Sequence, residues 1–169
     1  NFDVLKLLFS NRIILVEGTT EEMLINTFLA KSNELNNIDV LSIGQKGFKI
    51  FLNLWIILNS ESDKKIGIIR DYDNQENAKA EHSNYDNAKT IFVRTTENYT
   101  LEDDLVKTSN NCKAIADFFT LNNEEAEVIN FLKDRKANNM LELCYGIQDK
   151  KVNIELPIHI EQILEAIRK

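Results

Sequence analysis

Residues 12–22 read Arg12-Ile13-Ile14-Leu15-Val16-Glu17-Gly18-Thr19-Thr20-Glu21-Glu22. An unbroken aliphatic run rich in β-branched residues predicts a strand covered on both faces. The run stops abruptly on an acid and a glycine. Thr19 or Thr20 is suited to cap a following helix, and Glu21 and Glu22 to lie near its positive end. Met23, Leu24, Phe28 and Leu29 then recur at helical spacing. A buried strand that ends on an acid and passes straight into a helix is the opening of an α/β unit.

Outward from this stretch the pattern repeats. Residues 38–43 (IDVLSI) predict a second strand closed by Gly44, and Phe48, Phe51, Leu52, Trp55, Ile56 and Leu58 an amphipathic helix. Residues 65–70 (KIGIIR) predict a third strand that runs into Asp71-Tyr72-Asp73. Residues 74–88 are polar and aperiodic, which predicts a loop with one helical turn; 89–94 (KTIFVR) form a fourth strand. Leu101 to Val106 start a short helix, followed by helices at about 110–119, 123–134 and 136–145. A last helix runs from Pro157 to Lys169, with proline in its first turn. Alternation of this kind predicts a parallel sheet with right-handed crossovers.

Composition narrows the class. The chain has 169 residues, enough for one domain with a sizeable core, and its 43% hydrophobic and 28% charged residues are ordinary for a globular protein. No apolar run approaches the length that spans a bilayer. The first residue is Asn1, with no initiator Met or signal-peptide pattern, as expected of a piece of a longer protein. Cys112 and Cys144 are isolated, which fits a reducing cytoplasm and two small buried residues. His82 and His159 lack ligand-like spacing, which argues against a Cys/His zinc site. The net charge of −7 argues against a nucleic-acid binder that works by its overall field. Acids in such a protein need a specific task, and basic surface must be local.

In open parallel sheets the active crevice lies beyond the carboxyl ends of the strands. Glu17 ends strand one, Asp71 and Asp73 end strand three, and strand four leads to Glu102, so all four acids should share one rim. Clustered carboxylates repel unless a cation binds between them, and oxygen donors suit Mg²⁺ or Mn²⁺. Two ions about 4 Å apart can clamp the attacking and leaving oxygens of a phosphodiester. If the backbone stays extended, Asp71 and Asp73 point the same way. Glu17 and Glu21, four apart, can face one another across the first helical turn. Each acid alone also has a plain reading, as a turn residue or a helix-dipole partner. The joint order strand–EG–helix, strand–DxD, strand–E favours a metal site.

These residues resemble a known family. Glu17-Gly18 after strand one and Asp71-x-Asp73 after strand three resemble the Toprim domain of topoisomerases, primases and related nucleases. The likeness is greater to the Toprim domain of OLD-family (overcoming-lysogenization-defect) nucleases, including the nuclease subunit of the Gabija phage-defence system. VEGTTE at 16–21 resembles that family's V-E-G-x-[ST]-E, and LSIGQKGFKIF at 41–51 its second strand and glycine turn. YTLEDDL at 99–105 resembles T-L-E-x-D-L, DRKANNMLEL at 134–143 a lysine-bearing helix start, and LPIHIEQILEAI at 156–167 the closing helix.

The resemblance implies a Toprim-type, Rossmann-like α/β fold: a parallel sheet of about four strands flanked by helices, with a helical C-terminal part. It implies a single Toprim domain over 1–169, with a core at about 11–108 and a helical extension at about 109–169. It implies metal binding by Glu17, Glu21, Asp71, Asp73 and Glu102, joined by Asp104, and two Mg²⁺ or Mn²⁺ ions. Glu17 would also act as general acid or base, and Lys136 would stabilise charge on the transferring phosphoryl group; Lys133 and Arg135 crowd beside it. The implied activity is a cytoplasmic, metal-dependent DNA endonuclease or nickase of phage defence. The implied partners are DNA and an ABC-type ATPase domain through which the protein forms homo-oligomers. There is no G-x-x-x-x-G-K-[ST], so ATP hydrolysis is not expected of this chain itself. The alternative is a silent Toprim scaffold that binds metal or a partner without cleavage. A receiver-like phosphoacceptor domain would carry its paired acids after strand one, the reverse of the order found here.

Overall fold

The computed structural model describes residues 2–44, 47–73, 77 and 83–169, with side chains from residue 5 onward. In chain order the elements are α1 (Phe2–Phe9), β1 (Arg12–Val16), α2 (Thr19–Lys31), β2 (Asp39–Ser42), α3 (Phe48–Asn59) and β3 (Lys65–Arg70). A 3-10 turn at Ser83–Tyr85 precedes β4 (Ile91–Thr95). Then come α4 (Leu101–Lys107), α5 (Asn111–Phe119), α6 (Glu125–Lys133), α7 (Lys136–Gln148) and α8 (Ile158–Arg168). Helix α1 is an addition to the sequence reading. Its apolar residues run together without a clear period, and its anchor is Leu7, fully buried against the sheet. Residues 45–46 of the second motif, and 74–76 and 78–82 of the expected loop, lie outside the described residues.

The four strands pair in the order β2-β1-β3-β4, and every pairing is parallel. Ile13 lies opposite Asp39 on one side and Ile66 on the other, and Ile66 opposite Ile91. Their carboxyl ends therefore all open on one edge. Alternation divides β1 between two cores. Ile13 and Leu15 join Leu7, Phe48, Leu52, Trp55, Ile66 and Ile68 under α1 and α3. Ile14 and Val16 join Leu24, Leu29, Ile69, Leu105, Leu143 and Ile163 under the remaining helices. Burial on both faces explains why β1 and β3 are continuous aliphatic runs.

Gly67 sets how closely α8 sits on the sheet. A Cβ there would lie 2.5 Å from Ile163 Cγ2 and 2.8 Å from Ile167 Cδ1, so the helix rests directly on the bare backbone of β3. Gly67→Ala should cost about 1–3 kcal/mol through overpacking, read as a lower urea midpoint. Combined with Ile163→Ala, it should cost less than the sum of the two single changes. Strictly additive costs would show that α8 does not rest on Gly67.

Candidate functional site

The carboxyl edge is assembled from three short connections. After β1, the chain turns at Glu17-Gly18 into α2. Gly18, extended at φ −129°, is the residue that caps the helix; Thr19 and Thr20 lie inside it, contrary to the capping role expected of them. The cap is completed from within: Glu21 reaches back so that its Oε2 accepts the Gly18 N–H at 3.1 Å and the Thr20 hydroxyl at 3.1 Å. A Cβ on Gly18 would stand 2.9 Å from that oxygen. The glycine makes room for Glu21 rather than for a substrate backbone. Glu22, expected to be a plain helix acid, accepts the Ser42 N–H through Oε2 at 3.3 Å and pins α2 to the end of β2.

After β3, Asp71 is buried, and its Oδ1 accepts the Leu101 N–H at 3.0 Å, fastening the start of α4 to the end of β3. Glu17 Oε2 accepts the Asp71 N–H at 3.0 Å. Asp73 has φ +49°, so the backbone leaves at this residue the extended form on which a shared aim of Asp71 and Asp73 is premised. Electrostatically, Asp73 acts on Glu17, whereas Asp71 feels Glu21, Glu17 and Glu102. Left-handed backbone is tolerated by Asp, and here it is held by the Asp73 N–H donating to the Tyr99 carbonyl at 2.9 Å. Thr96 ties the same two loops together: its hydroxyl accepts the Tyr72 N–H and donates to the Asn98 carbonyl.

After β4, Thr100 caps α4. Its N–H donates to Asp103 Oδ2 at 3.0 Å, and its hydroxyl lies 2.9 Å from Glu102 Oε2 and 2.7 Å from Asp103 Oδ2, with one proton between them. Glu102 is fully buried, and its other oxygen, Oε1, accepts no aligned hydrogen bond but lies 3.2 Å from Lys136 Nζ at the start of α7. The structure thus brings Lys136 to the same edge as Glu102, Glu21 and Asp71.

One regularity unites Glu17, Glu21 and Asp71: each is held through one carboxylate oxygen, while among the described residues the other oxygen accepts no hydrogen bond. Glu102 shares the Thr100 hydroxyl with Asp103 through one oxygen and faces Lys136 with the other. Asp104 differs. Its Oδ1 accepts from Asn98 N–H and Asn98 Nδ2, and its Oδ2 accepts the Glu97 N–H and faces His159 Nδ1 at 3.0 Å. Both oxygens of Asp104 hold the 97–98 turn and the start of α8.

Crowding leaves an electrostatic imprint. Burial, followed by Glu21, Glu17 and Glu102, pushes the Asp71 carboxyl up to about 8, with Lys136 opposing. Burial also raises Glu17, against the Asp71 N–H and the Arg70 guanidinium. Burial works against the charge of Lys136, but Glu102, Glu21 and Asp71 outweigh it and raise the amine above its ordinary value. The donor set is all oxygen with surplus negative charge, which fits a hard divalent cation. The ring is not closed as it stands: among the described residues no three His, Cys, Asp or Glu side chains are grouped tightly enough to hold a metal ion.

Sequence reasoning passed over a second cluster on the same rim. Lys133 Nζ lies 2.7 Å from Asp103 Oδ2 and 5.1 Å from the centre of the Tyr99 ring. The signal was present in the run Asp134-Arg135-Lys136 and in Tyr99-Thr100 before the acids, but only the fold brings them together.

Among the described residues no helix is long and apolar enough to cross a membrane. No curated protein matches the chain. Residues 8–73 match the family model "Overcoming lysogenization defect protein-like, TOPRIM domain". Solved structures of the C-terminal region of the Xanthomonas campestris pv. campestris OLD protein are similar in fold. One superposes with TM-score 0.61 at 21% identity, covering 96% of this chain and 94% of that one. Another gives 0.60 at 22%, covering 95% of each. Over residues 8–73, which hold β1 with its Glu-Gly turn and β3 with its Asp-x-Asp, the chain is thus similar to the Toprim domain of overcoming-lysogenization-defect proteins, and along its length it shares the fold of that C-terminal region.

Proposed function

We propose that the carboxyl edge of the sheet binds divalent metal and hydrolyses phosphodiester bonds, and that the chain is the DNA endonuclease or nickase part of an OLD-like phage-defence protein. The observation that carries this reading is the gathering of four buried or half-buried acids at one edge, three of them (Glu17, Glu21 and Asp71) anchored through one oxygen with the other free of hydrogen bonds among the described residues, and Glu102 shared with Lys136. Structural carboxylates satisfy both oxygens, as Asp104 does; surplus oxygens at a shared edge are what a cation needs. Glu17, Glu21, Asp71, Asp73 and Glu102 would hold one or two Mg²⁺ or Mn²⁺ ions, and Asp104 would keep the α4 start in place beside them. Bound metal supplies activation of the attacking water and stabilisation of the leaving oxygen. The protein's own part is proton transfer and positioning. Glu17, whose carboxyl is raised by burial, is placed to take a proton at Oε1. Lys136 holds its charge beside Glu102 and can pass its ammonium to a phosphoryl oxygen. We further propose a cytoplasmic setting and an ABC-type ATPase domain, in the same polypeptide or complex, as the oligomerising partner.

Glu17→Ala and Asp71→Ala should each lower nicking of supercoiled plasmid in Mg²⁺ or Mn²⁺ on the order of 100-fold or more, with far-UV circular dichroism unchanged. Wild-type rates in either variant would sink the reading. Absence of nicking by the unaltered chain, even with the ATPase partner present, would favour the scaffold alternative.

The raised Asp71 carboxyl gives a signed pH test. Its folded pKa of about 8 lies above the ordinary value of 3.8. The folded state therefore holds a proton that the unfolded chain releases. The associated stability is full at low pH and is lost as pH rises towards 8. In EDTA, the melting temperature should fall between pH 6 and pH 8.5, by the equivalent of about 1–3 kcal/mol. Asp71→Asn should flatten that dependence, and Mg²⁺ should oppose it because binding displaces the proton. A flat wild-type profile in EDTA would show that Asp71 is not held protonated.

A further inference from the structure

The function above leaves one feature of the rim unexplained. Tyr99 is 44% exposed, although its backbone is fixed on both sides: its carbonyl accepts the Asp73 N–H, and the next residue caps α4. Packing does not account for an aromatic ring presented to solvent one residue from the carboxylate loop. One cation lies against it. Lys133 Nζ lies over the ring and is held there by Asp103. The Asp103 carboxyl is kept below its usual range, because Lys133 and the Thr100 hydroxyl outweigh its burial. Lys107 Nζ is fixed on Asn98 Oδ1 at 2.9 Å.

Two more cations come from the corner between α6 and α7. Arg135 is exposed and left-handed at φ +47°, a conformation that costs roughly 1–2 kcal/mol in a non-glycine residue. The corner is locked by Asn139, whose Nδ2 donates to the carbonyls of Phe131 (2.7 Å) and Asp134 (2.6 Å). This geometry sets Lys133, Arg135 and Lys136 around one tight corner beside the acids. A chain with net charge −7 therefore carries a local basic bank at this edge.

Phosphate-binding cations beside an exposed, fixed aromatic ring are the two parts of a single-strand nucleic-acid site: charge follows the backbone while a base stacks on the ring. A duplex substrate would offer phosphates to the lysines, but its bases stay stacked on one another and leave the ring unused. We propose that Tyr99 receives an unstacked base of a single-stranded DNA segment, with Lys133 and Arg135 on the adjoining phosphates. This rests on the reading of the edge as a site acting on DNA, and it specifies the substrate's local form.

The test compares a fluorescein-labelled twelve-residue oligothymidylate with an equally long abasic oligonucleotide, which has the same phosphates and no bases. Binding to the 169-residue chain is followed by fluorescence anisotropy in Ca²⁺, with plasmid nicking in Mg²⁺ assayed in parallel. The unaltered chain should bind the base-bearing strand roughly tenfold more tightly. Tyr99→Ala should level the two affinities, Tyr99→Phe should keep the preference, and Lys133→Ala should weaken both strands together. Equal affinities in the unaltered chain, absence of binding to either strand, or a preference that survives Tyr99→Ala would each overturn the proposal. If nicking persists while the preference is absent, the base site alone falls. If the preference is present without nicking, the nuclease reading falls and the base site stands.

Discussion

Repulsion among carboxylates confined at one sheet edge is the constraint on which the rest of this structure depends. Parallel pairing of β1, β3 and β4 sends Glu17, Asp71 and the Glu102 loop to the same side. Glu21, Asp71 and Glu102 are all at least nine-tenths buried, so water cannot screen them as it would on a surface. Such an edge can persist only if protons, fixed donors or cations offset the charge. All three are present in the fold: a proton favoured on Asp71, main-chain N–H donors on Glu17, Glu21 and Asp71, and the ammonium of Lys136 at Glu102.

The hydrogen bonds that relieve the repulsion also build the edge. Glu17 accepts from Asp71, and Asp71 accepts from Leu101, so β1, β3 and the start of α4 are linked end to end through the acids themselves. Glu21 closes its own helix cap, and Glu22 binds β2. Replacing any one of these acids by alanine removes a charge but also strands a donor. Stability and charge therefore move in opposite directions on substitution, and isosteric amides separate the two effects more cleanly than alanine does.

Much of this was legible in the sequence. The aliphatic runs at 12–16 and 65–70 have no room for polar residues because both faces are covered, so strand and fold class could be read from them directly. The shared rim followed from strand direction. Features that depend on a single dihedral or on a distant contact were not legible. Asp73 turns left-handed because the Tyr99 carbonyl waits for its N–H, a contact across 26 positions that no local pattern encodes. The task of Gly18 was not legible either, because the space it leaves is filled by the Glu21 carboxylate folding back from the next turn. The place of Lys133 was not legible because its partners, Asp103 and Tyr99, lie about thirty positions earlier in the chain.

The acidic balance of the chain takes on a different meaning once charge is placed in space. Net charge governs approach from a distance, and at ionic strengths near physiological its reach is roughly 8 Å. At shorter range, local side chains matter more: Lys133, Arg135 and Lys136 stand around one corner, and Lys107 at the end of α4 is held on Asn98. The corner holds its shape by the two Asn139 bonds, which offset the unfavourable backbone of Arg135. Acids and bases thus meet along one edge: Glu17 and Asp71 follow the strand ends, and Glu102 and Asp103 at the start of α4 pair with Lys136 and Lys133 from the α6–α7 corner. On the proposed reading, a polyanion would meet the basic side chains without repulsion at contact once a cation had neutralised the carboxylates, and Lys136, whose amine is raised by Glu102, Glu21 and Asp71, would respond to both.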